Sequence, residues 1–325
     1  ALANGGAFVF IDAVDPVGTL NERVYQTMSE IFKETSVYEK YLGGEMIQEA
    51  AIFLSTESKI DFNDNNKNVL DIQSHAFVAS NVKMDYPHIK GSLQVTEAFI
   101  HDNIPFGIIT KNNLGDLNKY KLIILSNVLM MDEEEADALR GFVSQGGCIF
   151  ASKYTSLIHK NGAVQGNFML ADVLGIDYIG ETKENYTYLS PASGADMLLE
   201  GYSEKYPMSV HDTQLMVRAR EGARVLAYTV LPYTDPADIT NFSSIHSNPP
   251  GIATGNPAVI MNSYGKGKAI YSTGQFEKFP HCEEVFIKLV RYLCGDSFIL
   301  ASDAPKPVEI TLFEQADKNR LIINL

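Results

Sequence analysis

Tryptophan is absent from the 325 residues, and cysteine occurs only at Cys148, Cys282 and Cys294. An odd count without a CxxC pair argues against a disulfide framework and a zinc knuckle. No apolar run approaches the roughly 20 residues that a membrane-spanning helix requires. Basic residues are outnumbered, 26 Lys and Arg against 40 Asp and Glu, for a net charge of −14. Such a surface repels phosphate backbones and anionic lipid, which makes nucleic acid and membrane poor partners. The seven histidines show no HxH or HExxH spacing, and no cofactor motif is found. Sugar clefts often use Trp platforms, so any carbohydrate contact here would rest on Tyr, Phe or polar groups. The compartment stays open between cytoplasm and periplasm.

Hydrophobic residues make up 45% of the chain and charged residues 20%, ordinary values for a globular protein. The length suits one large domain or two to three pieces. Ala7 to Val14 is a nearly continuous apolar run, the pattern of a strand buried on both faces. An amphipathic helix is predicted from about Asn21 to Tyr41, with Val24, Met28, Ile31, Phe32, Val37 and Tyr38 on one stripe and Gly43-Gly44 closing it. A βα unit with no partner strands reads as a piece of a longer protein.

From about Glu45 the patterns alternate. Ala50 to Leu54, Phe106 to Thr110, Leu122 to Ser126 and Cys148 to Ser152 read as strands, with helices over about Ile89–Asp102 and Asp132–Gln145. Acids crowd the first turn of the latter helix and Gly146-Gly147 ends it. This rhythm predicts an α/β fold with a doubly wound parallel sheet. Ala223–Val230, Ala258–Met261 and Ala269–Thr273 extend it, with a hairpin turn at Tyr264 to Lys268 and a helix over Cys282–Leu293. Pro232 to Pro257 holds five prolines and is expected to be a long functional loop. After Pro305-Lys-Pro307, two antiparallel strands are expected at Val308–Phe313 and Leu321–Leu325.

Catalytic patterns are sparse. A nucleophile elbow needs its Cys or Ser directly after a strand. Cys148 stands before its strand and reads as a buried structural thiol. Ser152, with His159 downstream, has the right end of the strand but no Gly-x-Ser-x-Gly frame. Asp61, Asn63 and Asn65 begin like a calcium loop, but the sixth and twelfth positions are Asn66 and Ile72 rather than Gly and Glu. Asp12 and Asp15 stand at the end of the opening strand, where barrel enzymes place carboxylates. Carboxylates around a Pro turn are also common turn formers.

The order of motifs resembles one family. The pieces are the Asn4-Gly-Gly strand opening, Leu122-Ile-Ile-Leu-Ser126, Met131 to Glu135, Leu139 to Gly147, Leu170 to Gly175, Phe242 to Pro250 and Tyr264 to Tyr271. Together they resemble the C-terminal part of bacterial glycoside hydrolases built like the trimeric β-galactosidases, and related proteins similar to α-L-fucosidases. In such proteins a catalytic TIM barrel precedes a flavodoxin-like trimerisation domain, related to class I glutamine amidotransferases but without their nucleophile, and a small β-domain follows. The resemblance implies residues 1–44 as the last βα unit of the barrel, 45–297 as the trimerisation domain and 298–325 as the start of a β-sandwich. It further implies self-association into trimers and a carbohydrate substrate for the parent enzyme. The catalytic pair would lie on earlier barrel strands, leaving Asp12 and Asp15 at most a rim role. His246 and Asn248, on the Phe242–Pro250 loop, are the candidate sugar contacts. Alternatives are a free-standing amidotransferase-like α/β hydrolase and a carbohydrate-binding module.

Overall fold

A computed structural model describes residues 2–58, 86–235, 238, 240 and 248–325. Two compact units are formed, one by residues 1–47 with 303–325 and the other by 48–302.

In the first unit, helix α1 (Glu22–Ser36) starts where the Asn21 side chain accepts the backbone N–H groups of Arg23 and Val24. Its apolar stripe buries no residue fully. Ala7 to Val14 forms no strand: it pairs with nothing among the described residues, and Val9 and Ile11 are 79% and 90% exposed. A strand needs a ladder partner for its backbone, and hydrophobicity alone does not supply one. The rings of Phe8, Phe10 and Phe32 pack together instead. Strand β1 (Glu45–Met46) also belongs to this unit.

The second unit begins with β2 (Ala50–Phe53), then α2 (Pro87–His101), β3 (Phe106–Ile109), β4 (Leu122–Leu125), β5 (Met130–Met131), α3 (Glu133–Gln145), β6 (Cys148–Ser152) and β7 (Ile158–His159). A short α4 (Ala171–Leu174) leads to β8 (Ile176–Glu181), β9 (Thr187–Pro191), β10 (Met208–Val210), β11 (Leu215–Ala219), β12 (Arg224–Pro232), β13 (Pro250–Tyr264), β14 (Gly267–Ser272) and α5 (Glu283–Cys294). The main sheet has nine strands in the order β10-β9-β12-β13-β14-β6-β4-β2-β3. Five of them, β3, β2, β4, β6 and β14, are parallel. Counted by appearance in the chain, these run 2-1-3-4-5 across the sheet. The other four join antiparallel, so the parallel prediction holds for only part of the sheet.

The parallel strands are apolar throughout because both faces are covered. On one face Phe99 of α2 and Phe286 and Leu289 of α5 pack with Ile52, Ile124 and Phe150. On the other, Leu139, Phe142 and Val143 of α3 pack with Ile123, Leu125, Ile149 and Tyr271. Helix α3 is framed as its composition predicts. Asp132 and Glu135 form a reciprocal capping box, and Gly146 takes φ +122° after the last turn.

The expected loop over Pro232 to Pro257 is partly strand, since β13 begins at Pro250. Pro250 pairs at the strand's start and Pro257 sits at a register shift against β12, positions where a missing N–H interrupts no regular ladder. Residues 236, 237, 239 and 241–247 lie outside the described residues, as do 59–85, which contain the calcium-loop-like Asp61 to Asn68. No helix among the described residues is long and apolar enough to cross a membrane.

The chain closes in the first unit with β15 (Thr311–Gln315) and β16 (Arg320–Asn324), antiparallel as expected, with β1 on the other side of β15. Asn319, at φ +49°, makes the turn between them.

Candidate functional site

Ligands of open α/β sheets bind outside the carboxyl ends of the parallel strands. Here that edge is built from the residues that leave three strands: Ser126 and Asn127 after β4, Ser152 and Lys153 at the end of β6, and Thr273 to Glu277 after β14. Ser126 Oγ and Ser152 Oγ both donate to Glu277 Oε1, at 2.6 and 2.5 Å. Gln275 Nε2 donates to Ser126 Oγ at 3.0 Å and to the Pro87 carbonyl at 2.8 Å. His88, in the first turn of α2, spans β2 and β4: its Nε2 accepts the Ser55 N–H at 3.0 Å, and its Nδ1 donates to the Ser126 carbonyl at 2.8 Å. That pair of bonds requires the neutral imidazole, and burial lowers the pKa accordingly.

All five side chains are buried, and Glu277 is only 2% exposed. Burial pushes the Glu277 carboxyl up to about 7, against the pull of the two serine hydroxyls. Its Oε2 and the Gln275 Oε1 have no hydrogen-bond partner among the described residues. The site is a sealed polar knot in which a carboxyl group joins the ends of β4, β6 and β14.

Beside it lies an ion cluster. Lys153 follows β6 at φ +52°, the place and conformation of an elbow residue. Its Nζ bonds Glu181 Oε1 at 3.0 Å and Thr213 Oγ1 and carbonyl at 2.5 and 2.6 Å, and lies 3.5 Å from Asp212 Oδ1. Tyr154 donates its hydroxyl to Glu181 Oε2 at 2.6 Å, and Lys278 pairs with Asp212 at 3.0 Å. Burial pushes the Glu181 carboxyl up, but Lys153, Thr213 and Tyr154 together bring it below its ordinary value.

The elbow position therefore carries an ion-paired lysine, where an acyl-transfer enzyme needs a hydroxyl or thiol beside a base. Ser152 is bonded to Glu277 and the Asn127 N–H, while the ring of His159 accepts the Asn161 N–H. Cys148 stands at the opposite end of β6. It is half-buried rather than the buried thiol that its place before the strand suggests. No group of three or more metal-ligating side chains occurs among the described residues.

Asp12 and Asp15 lie in the first unit. Asp12 Oδ1 accepts the Ala13 N–H at 2.9 Å. Asp15 organises a turn, its Oδ2 accepting the Thr19 hydroxyl at 3.0 Å and its carbonyl the Gly18 N–H at 2.7 Å. Asn248 stitches a loop: Oδ1 accepts the Thr234 N–H at 3.1 Å, Nδ2 donates to the Thr234 carbonyl at 2.5 Å, and its own carbonyl accepts the Tyr188 hydroxyl. His246 lies outside the described residues. Sequence reasoning missed Glu277, Gln275, His88 and Lys153. The available signal was the small polar residue that ends each of LIILS, CIFAS and AIYST, which marks three strand ends converging on one polar centre.

Comparison with known proteins adds the family. The family model for the beta-galactosidase trimerisation domain matches residues 49–291. Beta-galactosidase bgaB of Geobacillus kaustophilus is 25% identical over 264 residues, 77% of this chain and 31% of that protein. The chain thus spans about a third of the length of the curated relatives it matches. Alpha-L-fucosidase isoenzyme 2 from Paenibacillus thiaminolyticus is structurally similar, with a TM-score of 0.74 and 18% identity over 99% of this chain and 44% of that one. A beta-galactosidase from Bacillus circulans sp. alkalophilus gives a TM-score of 0.62 and 19% identity, covering 92% of this chain and 39% of the other. At these identities the structural likeness concerns the fold.

Proposed function

This chain belongs to the beta-galactosidase trimerisation domain family, and from that premise we propose that it is a non-catalytic assembly module of a multidomain glycoside hydrolase. The observation that carries the proposal is the family match across residues 49–291. In this reading the unit of residues 48–302 associates with copies of itself into trimers, and the parent enzyme acts on carbohydrate. The acid/base and nucleophile reside on a barrel outside this chain. Residues 1–44 are the last βα unit of that barrel, whose neighbouring strands cover the exposed Val9 and Ile11. Strands β15 and β16 begin the terminal β-domain, and Asp12, Asp15, His246 and Asn248 contribute at most to the rim of a sugar cleft.

The second unit is read as flavodoxin-like and related to class I glutamine amidotransferases. The 2-1-3-4-5 order of its parallel strands supports this. The sealed Glu277 knot and the lysine at the elbow position support the loss of chemistry: where an amidotransferase keeps an open crevice and a thiol, this chain has filled the crevice with mutually bonded side chains. No observation favours the free-standing hydrolase.

Light scattering and glycoside assays test the proposal. The expected results are a particle of three protomer masses and no turnover of nitrophenyl β-galactoside or α-fucoside by this chain. A monomer at high concentration would remove the assembly role. Glycoside turnover would overturn the non-catalytic reading.

A further inference from the structure

Cys148 is the first residue of β6 and Cys294 the last of α5, far apart in sequence. Helix α5 packs on the sheet so that these two ends meet at its amino edge, opposite the Glu277 knot. The Cys148 thiol donates to the Leu293 carbonyl at 3.5 Å, one residue from Cys294, and each thiol shifts the other's ionisation. Both are free and half-buried. Both line an open cavity of about 630 Å³, shared with Tyr120, Lys121, Gly147 and Ser297. The third thiol, Cys282, is buried elsewhere against Ser209.

The pair is chemically asymmetric. The neighbouring Cys294 thiol holds the Cys148 thiol below its ordinary range, with burial opposing and Lys268 assisting. The same neighbour and burial push Cys294 upward. Two neighbouring thiols open to one cavity, one of them favoured toward the thiolate, are the arrangement in which oxidation ends at a disulfide.

We propose that Cys148 and Cys294 form a reversible dithiol–disulfide site, oxidised by a small hydroperoxide entering through this cavity. The Cys148 thiolate attacks one peroxide oxygen, the O–O bond breaks, and the leaving oxygen takes up a proton to depart as water or alcohol. Cys148 is left as a sulfenic acid. The Cys294 sulfur then attacks the Cys148 sulfur; the S–S bond forms as the S–O bond breaks, and the hydroxyl leaves as water with the Cys294 proton. The two thiols lose two electrons and the peroxide gains them, and an added thiol reverses the change. The resulting link ties the start of β6 to the end of α5. Because it closes a long loop in the unfolded chain, it raises the melting temperature.

Treatment of the full chain with hydrogen peroxide tests this, read by intact mass, non-reducing peptide maps and thermal melts. The expected result is loss of two hydrogen masses, one cross-linked peptide pairing Cys148 with Cys294, and a melting temperature several degrees higher. Dithiothreitol restores the starting state. C294S should accumulate a dimedone-trappable sulfenic acid at Cys148, and C148S should form no link and leave Cys294 unoxidised. A link through Cys282, a sulfinic acid on Cys148 of the unsubstituted chain without cross-linking, or no reaction at either residue would overturn the proposal.

Discussion

Glu277 concentrates the physics of the candidate site in one side chain. It is fully enclosed, it accepts two serine hydroxyls on one oxygen, and burial raises its pKa to about 7. A carboxyl raised on folding binds its proton more tightly in the native state than in the unfolded one. Its full contribution to stability is therefore present below about pH 4.5, where both states are protonated. It drains away as pH rises through about 7, and the deficit is constant above that. Glu277→Gln keeps the shape and the acceptor oxygen but abolishes the titration. The variant's stability relative to the unsubstituted protein should climb between pH 4 and pH 8 by on the order of 3 kcal/mol. Urea unfolding at several pH values measures this, and a difference independent of pH would refute the assignment. At the same scale Asn248, a candidate sugar contact by sequence, bonds the Thr234 backbone through its amide.

At the scale of elements, local signals and tertiary partners divide cleanly. Helix α3 was legible because its start and stop are chemical: Asp132 and Glu135 satisfy orphan backbone N–H groups, and Gly146 takes a φ that L-residues avoid. Asp132 also holds Lys111 at 2.6 Å, and that contact with the Glu135 N–H keeps its carboxyl near 2 despite partial burial. Asp132→Ala should cost about 1–2 kcal/mol in chemical denaturation, the upper part of the range for a lost N-cap. A loss near zero would show the cap to be dispensable. Strand β13 and the Ala7–Val14 run depart from their sequence patterns in opposite directions. One strand formed in spite of prolines because β12 offered a ladder with shifts where they fall. The other run had every apolar residue a strand needs and no ladder to join among the described residues. Pairing is a property of two segments, so one segment's composition cannot decide it.

At the scale of the molecule, the second unit stands on two layers of apolar side chains with the sheet between them. Phe286 of α5 anchors one layer, its ring stacked 6.0 Å from Phe99 and edge-on 5.1 Å from Phe150. Phe286→Ala should cost about 3–5 kcal/mol, seen as a lower urea midpoint with the slope unchanged. A small effect would mean that the layer can collapse around the gap. The proposed assembly role draws on this rigidity, because a surface that meets copies of itself must be held by a core that does not deform. The family resemblance was legible for the same reason that the parallel strands were: it rests on short, contiguous strings such as Leu122 to Ser126 and Leu139 to Gly147.

The sequence by itself determined the helices with chemical caps, the buried parallel strands, the acidic surface and the membership that the ordered motifs announced. These depend on residues close together in the chain, where spacing and composition act directly. Only the tertiary structure decided that Ser126, Ser152, Gln275 and Glu277 meet in one sealed knot, that the elbow position carries Lys153, and that Cys148 lies beside Cys294. Each of these joins groups from separate strands or helices, and the strand order that brings them together is selected by packing both sheet faces at once.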